Sequence, residues 1–124
     1  MNRILIIDDD EQIRLLLKQI LEMSEYEVID APNENEGIRH FRKSQIDLII
    51  MDMIMPEIDG METITKLKQV FPNVKIIAIS GGSRVMDPRD HLHYATQAGA
   101  LHTFTKPFDI KEMLKVIEKL LSND

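Results

Sequence analysis

Acidic, hydroxyl and ammonium side chains recur in this sequence at one kind of position, directly after a short strand-like stretch. Asp8, Asp9 and Asp10 follow Ile4-Leu5-Ile6-Ile7, and Asp52 follows Leu48-Ile49-Ile50-Met51. Ser80, with Gly81 and Gly82 behind it, ends the largely apolar run from Val74 to Ile79; Lys106, ahead of Pro107, closes the mixed apolar and polar stretch from Leu101 to Thr105. Asp8, Asp9 and Asp52 would repel one another in a shared cleft of low dielectric. Either one keeps its proton or a cation sits among them. Oxygen donors without histidine or cysteine suit Mg²⁺, which retains several waters and leaves room for phosphate oxygens. Lys106, opposite the carboxylates, is a natural counter-charge for a phosphoryl oxygen. The Ser80 hydroxyl could donate to the same group. Lys106-Pro107 is a candidate cis peptide, and Gly81 and Gly82 permit close backbone approach. Asp10 has a simpler expected role, as the cap of the helix that follows.

Such residues meet only if the chain brings the ends of the apolar runs to one edge. The hydrophobic period alternates repeatedly between short buried runs and helical spacing. Strands are expected at 4–7, 26–29, 47–51, 74–79 and 101–105. Ile13, Leu16, Leu17, Ile20 and Leu21 follow helical spacing, and Asn33 with Glu36 opens a weaker helix to Arg42. Asp59-Gly60-Met61-Glu62 and Asp109-Ile110-Lys111-Glu112 have capping-box spacing before two further helices. Asp87-Pro88 reads as a cap followed by proline at the first helical position. That helix should end at Gly99, a candidate left-handed terminator. Strands alternating with amphipathic helices imply (βα)₅: a doubly wound α/β sandwich with a parallel sheet. Ligands then bind outside the carboxyl ends of the strands, where these polar residues fall.

Size and composition narrow the classes. At 124 residues the chain fits one domain, 1–124, and no linker or output domain is expected. Hydrophobic residues make up 44% and cysteine is absent, so disulfides and thiolate metal sites are excluded. The apolar run after Arg3 is too short for a signal sequence, and no stretch approaches the roughly 20 residues of a membrane helix. A net charge of −6 argues against a nucleic-acid surface. His40, His91, His93 and His102 are scattered, and none is placed for phosphotransfer or metal binding. Met51, Met53, Met55 and Met61 read as packing residues.

The order and spacing of Ile4 to Asp10, Asp47 to Gly60, Ile79-Ser80-Gly81 and Thr105-Lys106-Pro107-Phe108 resemble the receiver domain of two-component response regulators. The resemblance covers essentially the whole chain. It implies a flavodoxin-like sheet in the order 2-1-3-4-5, with Asp52 as phosphoacceptor. Asp9, assisted by Asp8, Asp52 and the backbone carbonyl of Ile54, would hold Mg²⁺. Lys106 would pair with the phosphoryl group, and Ser80 would be the switch hydroxyl. A histidine kinase or phosphotransfer protein would supply the phosphate, and a downstream protein would read it by binding. The protein would be a cytoplasmic monomer or weak dimer, and no enzyme beyond assisting its own phosphorylation and dephosphorylation. The surface formed by the helix ending at Gly99, the last strand and the last helix would be the contact face.

Features of this sequence depart from that family pattern. The aromatic residue usual three positions before the lysine is here Thr103, with Phe104 beside it. The stretch from Ser80 to Gly99 is longer than usual and carries Arg84, expected in solvent. Ile54 and Gly82 occupy positions that tune dephosphorylation, so slow to moderate phosphoryl loss is expected. Rival readings fare worse. A dehalogenase-like phosphatase wants an acid where Ile54 stands. A flavin carrier wants a Ser/Thr/Gly phosphate loop where Asp8 to Asp10 stand. A degenerate receiver would lack Asp9, Asp52 or Lys106.

Overall fold

The apolar runs become the middle layer of the molecule. The computed structural model describes residues 2–55, 58–80, 93 and 95–122, with residues 54, 55 and 58–61 described by their backbone alone. In chain order the elements are β1 (Arg3–Ile7), α1 (Glu11–Met23), β2 (Glu27–Ala31), α2 (Glu34–Lys43), β3 (Leu48–Asp52), β4 (Ile54–Met55), β5 (Ile58–Asp59), α3 (Gly60–Val70), β6 (Ile76–Ser80), β7 (His102–Thr105) and α4 (Ile110–Ser122). Five strands pair in parallel in the order β2-β1-β3-β6-β7. Leaving aside the short antiparallel β4–β5 pair, this is the expected 2-1-3-4-5 sheet. No described helix is long and apolar enough to cross a membrane.

Strands buried on both faces explain the unbroken apolar runs, since alternate residues serve opposite cores. Leu5, Ile7, Ile49, Met51, Ile76 and Ala78 pack on one side with Ile64 and Leu67 of α3 and with Ala95. Ile4, Ile6, Leu48, Ile50, Ile77 and Ile79 pack on the other with Leu17 and Leu21 of α1 and Met113, Ile117 and Leu121 of α4. Each of the larger side chains among them contributes roughly 1.5–3 kcal/mol by leaving water, so the sheet is a stiff platform for its polar ends.

Local signals set the helix ends. The Asp10 carboxylate accepts from the N–H of Gln12 at 2.9 Å and Ile13 at 3.4 Å, opening α1. Asn33 accepts from Glu36 N–H at 2.9 Å before α2. Asp109 accepts from Lys111 N–H at 2.8 Å and Glu112 N–H at 3.3 Å before α4. Residues 95–98 are helical, and Gly99 follows at φ 130°. There Ala100 N–H donates to Ala95 carbonyl at 3.0 Å and Gly99 N–H to Thr96 carbonyl at 3.2 Å, a glycine-terminated helix end. The expected start of that helix at Asp87-Pro88 lies outside the described residues.

Some boundaries differ from the sequence expectation. β2 runs to Ala31 because Ile6 and Ile7 of β1 draw Asp30 and Ala31 into register. β3 and β6 start later than expected, at Leu48 and Ile76, and each ends one residue later, so that Asp52 and Ser80 lie inside the ladder. The β4–β5 pair was not anticipated, because two-residue strands are too short to show a period.

Gly37 of α2 lets that helix lie close on β1. A Cβ there would stand 2.5 Å from Ile7 Cδ1 and 2.9 Å from its Cγ1. Gly37→Ala is therefore expected to destabilise the fold by about 1 kcal/mol, the overpacking cost exceeding the helical preference of alanine. Urea unfolding checks this, and the cost of Gly37→Ala should be smaller when measured in an Ile7→Val background, which lacks the Cδ1 nearest the added methyl.

Candidate functional site

The pairing of Ile7 with Met51 brings the next residues of β1 and β3, Asp8 and Asp52, to adjacent positions at the carboxyl edge. Both are nearly inaccessible, at 2% and 5% exposure. Asp9 is exposed, yet carboxylate oxygens of Asp8, Asp9 and Asp52 lie within 4.8 Å of one another. Lys106 arrives from the loop after β7. Its Nζ stands 3.2 Å from Asp52 Oδ2 and 3.4 Å from Asp8 Oδ2. The Lys106-Pro107 peptide is cis, and Lys106 N–H donates to the Ser80 carbonyl at 2.8 Å.

Asp8 is held from several directions. Its N–H donates to the Ala31 carbonyl at 3.1 Å, and its Oδ1 accepts from Asp10 N–H at 2.9 Å. Its own carbonyl accepts from Arg14 Nη1 at 2.8 Å. Burial pushes the Asp8 carboxyl from 3.8 up to about 6, and the neighbouring Asp52 charge adds to this; the Asp10 N–H and Lys106 pull the other way. Burial pushes Lys106 down, but the Asp52 and Asp8 carboxylates outweigh it and hold the ammonium above its ordinary range.

Charge and donor type show what the cluster can take. Three carboxylates against one ammonium leave two negative charges, the complement of a divalent cation. The donors are all oxygen, which favours a hard ion. Asp9, on the exposed side, leaves an approach for water and phosphate.

The structure thus gathers Asp8, Asp9, Asp52 and Lys106. Ser80 ends the adjacent strand, fully buried, one position beyond the pairing of Asp52 with Ile79. Ile54 lies in β4, just after Met53, whose N–H donates to the Ile79 carbonyl at 2.8 Å. Met51 and Met53 are core residues. Gly81, Gly82, Arg84 and His91, and the side chains of Met55 and Met61, lie outside the described residues. His93 is exposed, and His102 stacks on Phe104 with centroids 4.8 Å apart.

The one-residue displacement of the aromatic has a defined geometry. Phe104 pairs with Ile79 and shares its core with α1 and α4. Thr103 pairs with Ala78, whose side chain serves the opposite core. A shift of one residue along a strand moves a side chain to the other face. Phe104 therefore does not stand in for an aromatic at 103.

Sequence reasoning missed Arg14 and Asp30. Arg14 Nε donates to Asp30 Oδ2 at 2.9 Å while Nη1 holds the Asp8 carbonyl. An arginine on the first helix looks like any solvated charge until β2 is placed beside it.

Comparisons with known proteins agree with this fold. A family model for the response regulator receiver domain matches residues 4–118. Chemotaxis protein CheY of Bacillus subtilis is 34% identical over 122 residues, covering 98% of this chain and 98% of that protein. Sporulation initiation phosphotransferase F of the same species is 31% identical over 119 residues, covering 96% of this chain and 93% of that one. The solved structure of response regulator protein TrrA from Thermotoga maritima in complex with Mg(2+)-BeF superposes with a TM-score of 0.83 at 34% identity, covering 98% of this chain and all of that one.

Proposed function

Because this chain belongs to the response regulator receiver domains, phosphoacceptor switches of two-component signalling, we propose that Asp52 is the phosphorylated residue of a Mg²⁺-dependent site. The carrying observation is the buried pair Asp8 and Asp52 at adjacent strand ends with Lys106 on both. Asp8, Asp9, Asp52 and the Ile54 carbonyl would hold Mg²⁺, which when bound offsets the charge of the incoming phosphoryl group.

The chain's own residues supply the rest. A carboxylate oxygen of Asp52 attacks the phosphorus of a phosphohistidine. The N–P bond breaks, its electron pair returns to the imidazole, and an acyl phosphate forms on Asp52. Little covalent chemistry is asked of the protein beyond position and charge. Lys106 shifts its ammonium from Asp52 Oδ2 to a phosphoryl oxygen, and the Ser80 hydroxyl donates to another. The strand ends fix these groups beforehand, so little reorganisation is needed.

The donor would be a histidine kinase or phosphotransfer protein, and the reader a downstream protein rather than nucleic acid. The working unit would be a cytoplasmic monomer or weak dimer. It has no substrate turnover beyond gaining and losing its own phosphate.

Incubation with a small-molecule phosphodonor and Mg²⁺ tests this reading. Mass spectrometry should find one added phosphoryl group, labile to hydroxylamine, and none after EDTA treatment or in Asp52→Asn. Native-like labelling of Asp52→Asn would put the acceptor elsewhere. Loss of the label should be slow to moderate, since Ile54 carries no side-chain group to orient a water. Ile54→Asn should shorten its lifetime several-fold, and an unchanged decay would count against that role.

A further inference from the structure

The Asp8-Asp9 peptide links two carboxylates of the acidic cluster, and an arginine on another element grips it. Arg14 Nη1 donates to the Asp8 carbonyl at 2.8 Å and Nε to Asp30 Oδ2 at 2.9 Å. The Arg14 side chain is only 14% exposed and that of Asp30 28%. Asp30 is itself fixed, opposite Ile6 in the β1–β2 ladder. The guanidinium thus spans from the edge strand to the loop that carries Asp8 and Asp9. Its planar fork offers Nε and Nη1 as two donors in a fixed mutual geometry, whereas a lysine would have to meet both acceptors with a single nitrogen.

We propose that Arg14 is a positioning residue of the acidic site: anchored by Asp30, it holds the Asp8-Asp9 peptide and thereby sets the affinity for Mg²⁺. The inference rests on the proposed function, in that Asp8 and Asp9 are taken as ligands. The peptide plane between them governs the direction in which each side chain leaves the backbone. Asp8 is already tied at its N–H and its Oδ1. The clamp on its carbonyl fixes the side of that plane facing Asp9, the exposed member of the cluster. Groups that orient a ligand without touching the ion typically govern about 10- to 100-fold in metal affinity.

Calorimetric Mg²⁺ titration of the native chain, Arg14→Gln, Arg14→Lys and Asp30→Ala tests the assignment, with urea unfolding run in parallel. Arg14→Gln and Arg14→Lys should each bind Mg²⁺ about tenfold more weakly or worse. Asp30→Ala, which keeps Arg14 but removes its anchor, should move in the same direction and serves if either Arg14 variant fails to fold. The Mg²⁺ requirement for phosphorylation by a small phosphodonor should rise by the same factor. A merely structural arginine would lower the urea midpoint and leave the affinity of the folded protein unchanged, which would overturn the assignment. Native-like affinity in Arg14→Lys would also overturn it, by showing that charge alone suffices. If the native chain bound no Mg²⁺, the proposed function would fall first and this inference with it.

Discussion

At pH 7 without Mg²⁺, Asp8→Asn is expected to be more stable than the native chain by about 2 kcal/mol while losing most of its Mg²⁺-dependent phosphorylation. The cause is the burial of an ionised group. Asp8 is 2% exposed, and burial lifts its carboxyl from 3.8 to about 6. That displacement corresponds to about 3 kcal/mol against the folded state when the group is charged. Asparagine keeps an oxygen for the Asp10 N–H but turns an amide NH2 towards the Lys106 ammonium, a donor facing a donor, so part of the gain is given back. The sign with pH follows. The folded-state value lies above the unfolded one, so the folded state takes up the proton first. The Asp8 penalty is full above about pH 6, fades as pH falls from 6 towards 4, and is gone below the unfolded value. Urea titrations at pH 7 and pH 4.5 isolate it as the difference between native and variant. That difference should shrink in acid and also when Mg²⁺ is added at pH 7. Coincident native and variant curves at pH 7 would refute the account.

Lys106→Met should act in the opposite direction on stability. The methionine preserves much of the stem and removes the ammonium that stands 3.2 Å from Asp52 and 3.4 Å from Asp8. Breaking a fully buried pair costs about 3–5 kcal/mol. Lys106 is a quarter exposed, so a loss of about 2 kcal/mol at pH 7 without Mg²⁺ is expected. Mg²⁺ or mild acid should restore much of it, since either relieves the same excess of negative charge. Phosphorylation should fall by about a hundredfold or more even with Mg²⁺ present, because the ammonium proposed to meet the phosphoryl oxygens is gone. The two substitutions should not add. In the Lys106→Met background, Asp8→Asn should stabilise more than it does in the native chain, because the carboxylate it removes has lost its counter-charge. Strict additivity in a double-mutant cycle would argue that Lys106 and Asp8 are independent.

What the sequence disclosed was set by how local each signal is. The inner strands β1, β3 and β6 were legible because burial on both faces forces unbroken apolar runs such as Ile4 to Ile7. Asp10, Asn33, Asp109 and Gly99 were legible because a cap is decided within a few residues. The meeting of Asp8, Asp9, Asp52 and Lys106 was legible at one remove, since the carboxyl edge of a parallel sheet collects strand ends. The Arg14 clamp was not, because its partners are Asp8, just after β1, and Asp30, in β2, and no local pattern encodes the mutual register of those strands. The β4–β5 pair escaped because it is shorter than any period. The face occupied by Phe104 depended on strand register, which a break of one residue reverses.

That last feature bears on chimeras between this protein and its relatives. Phe104 is 8% exposed and shares a core with Ile79, Met113 and Ile117. A donor segment with its aromatic at 103 and a small residue at 104 would crowd the side of the sheet that holds Ala78 and empty the side that holds α4. Vacating a buried phenyl ring costs about 3–5 kcal/mol, a large share of the whole stability of a domain this size. Any exchange of output specificity must therefore carry β7 and α4 across together, as one graft with its own filling.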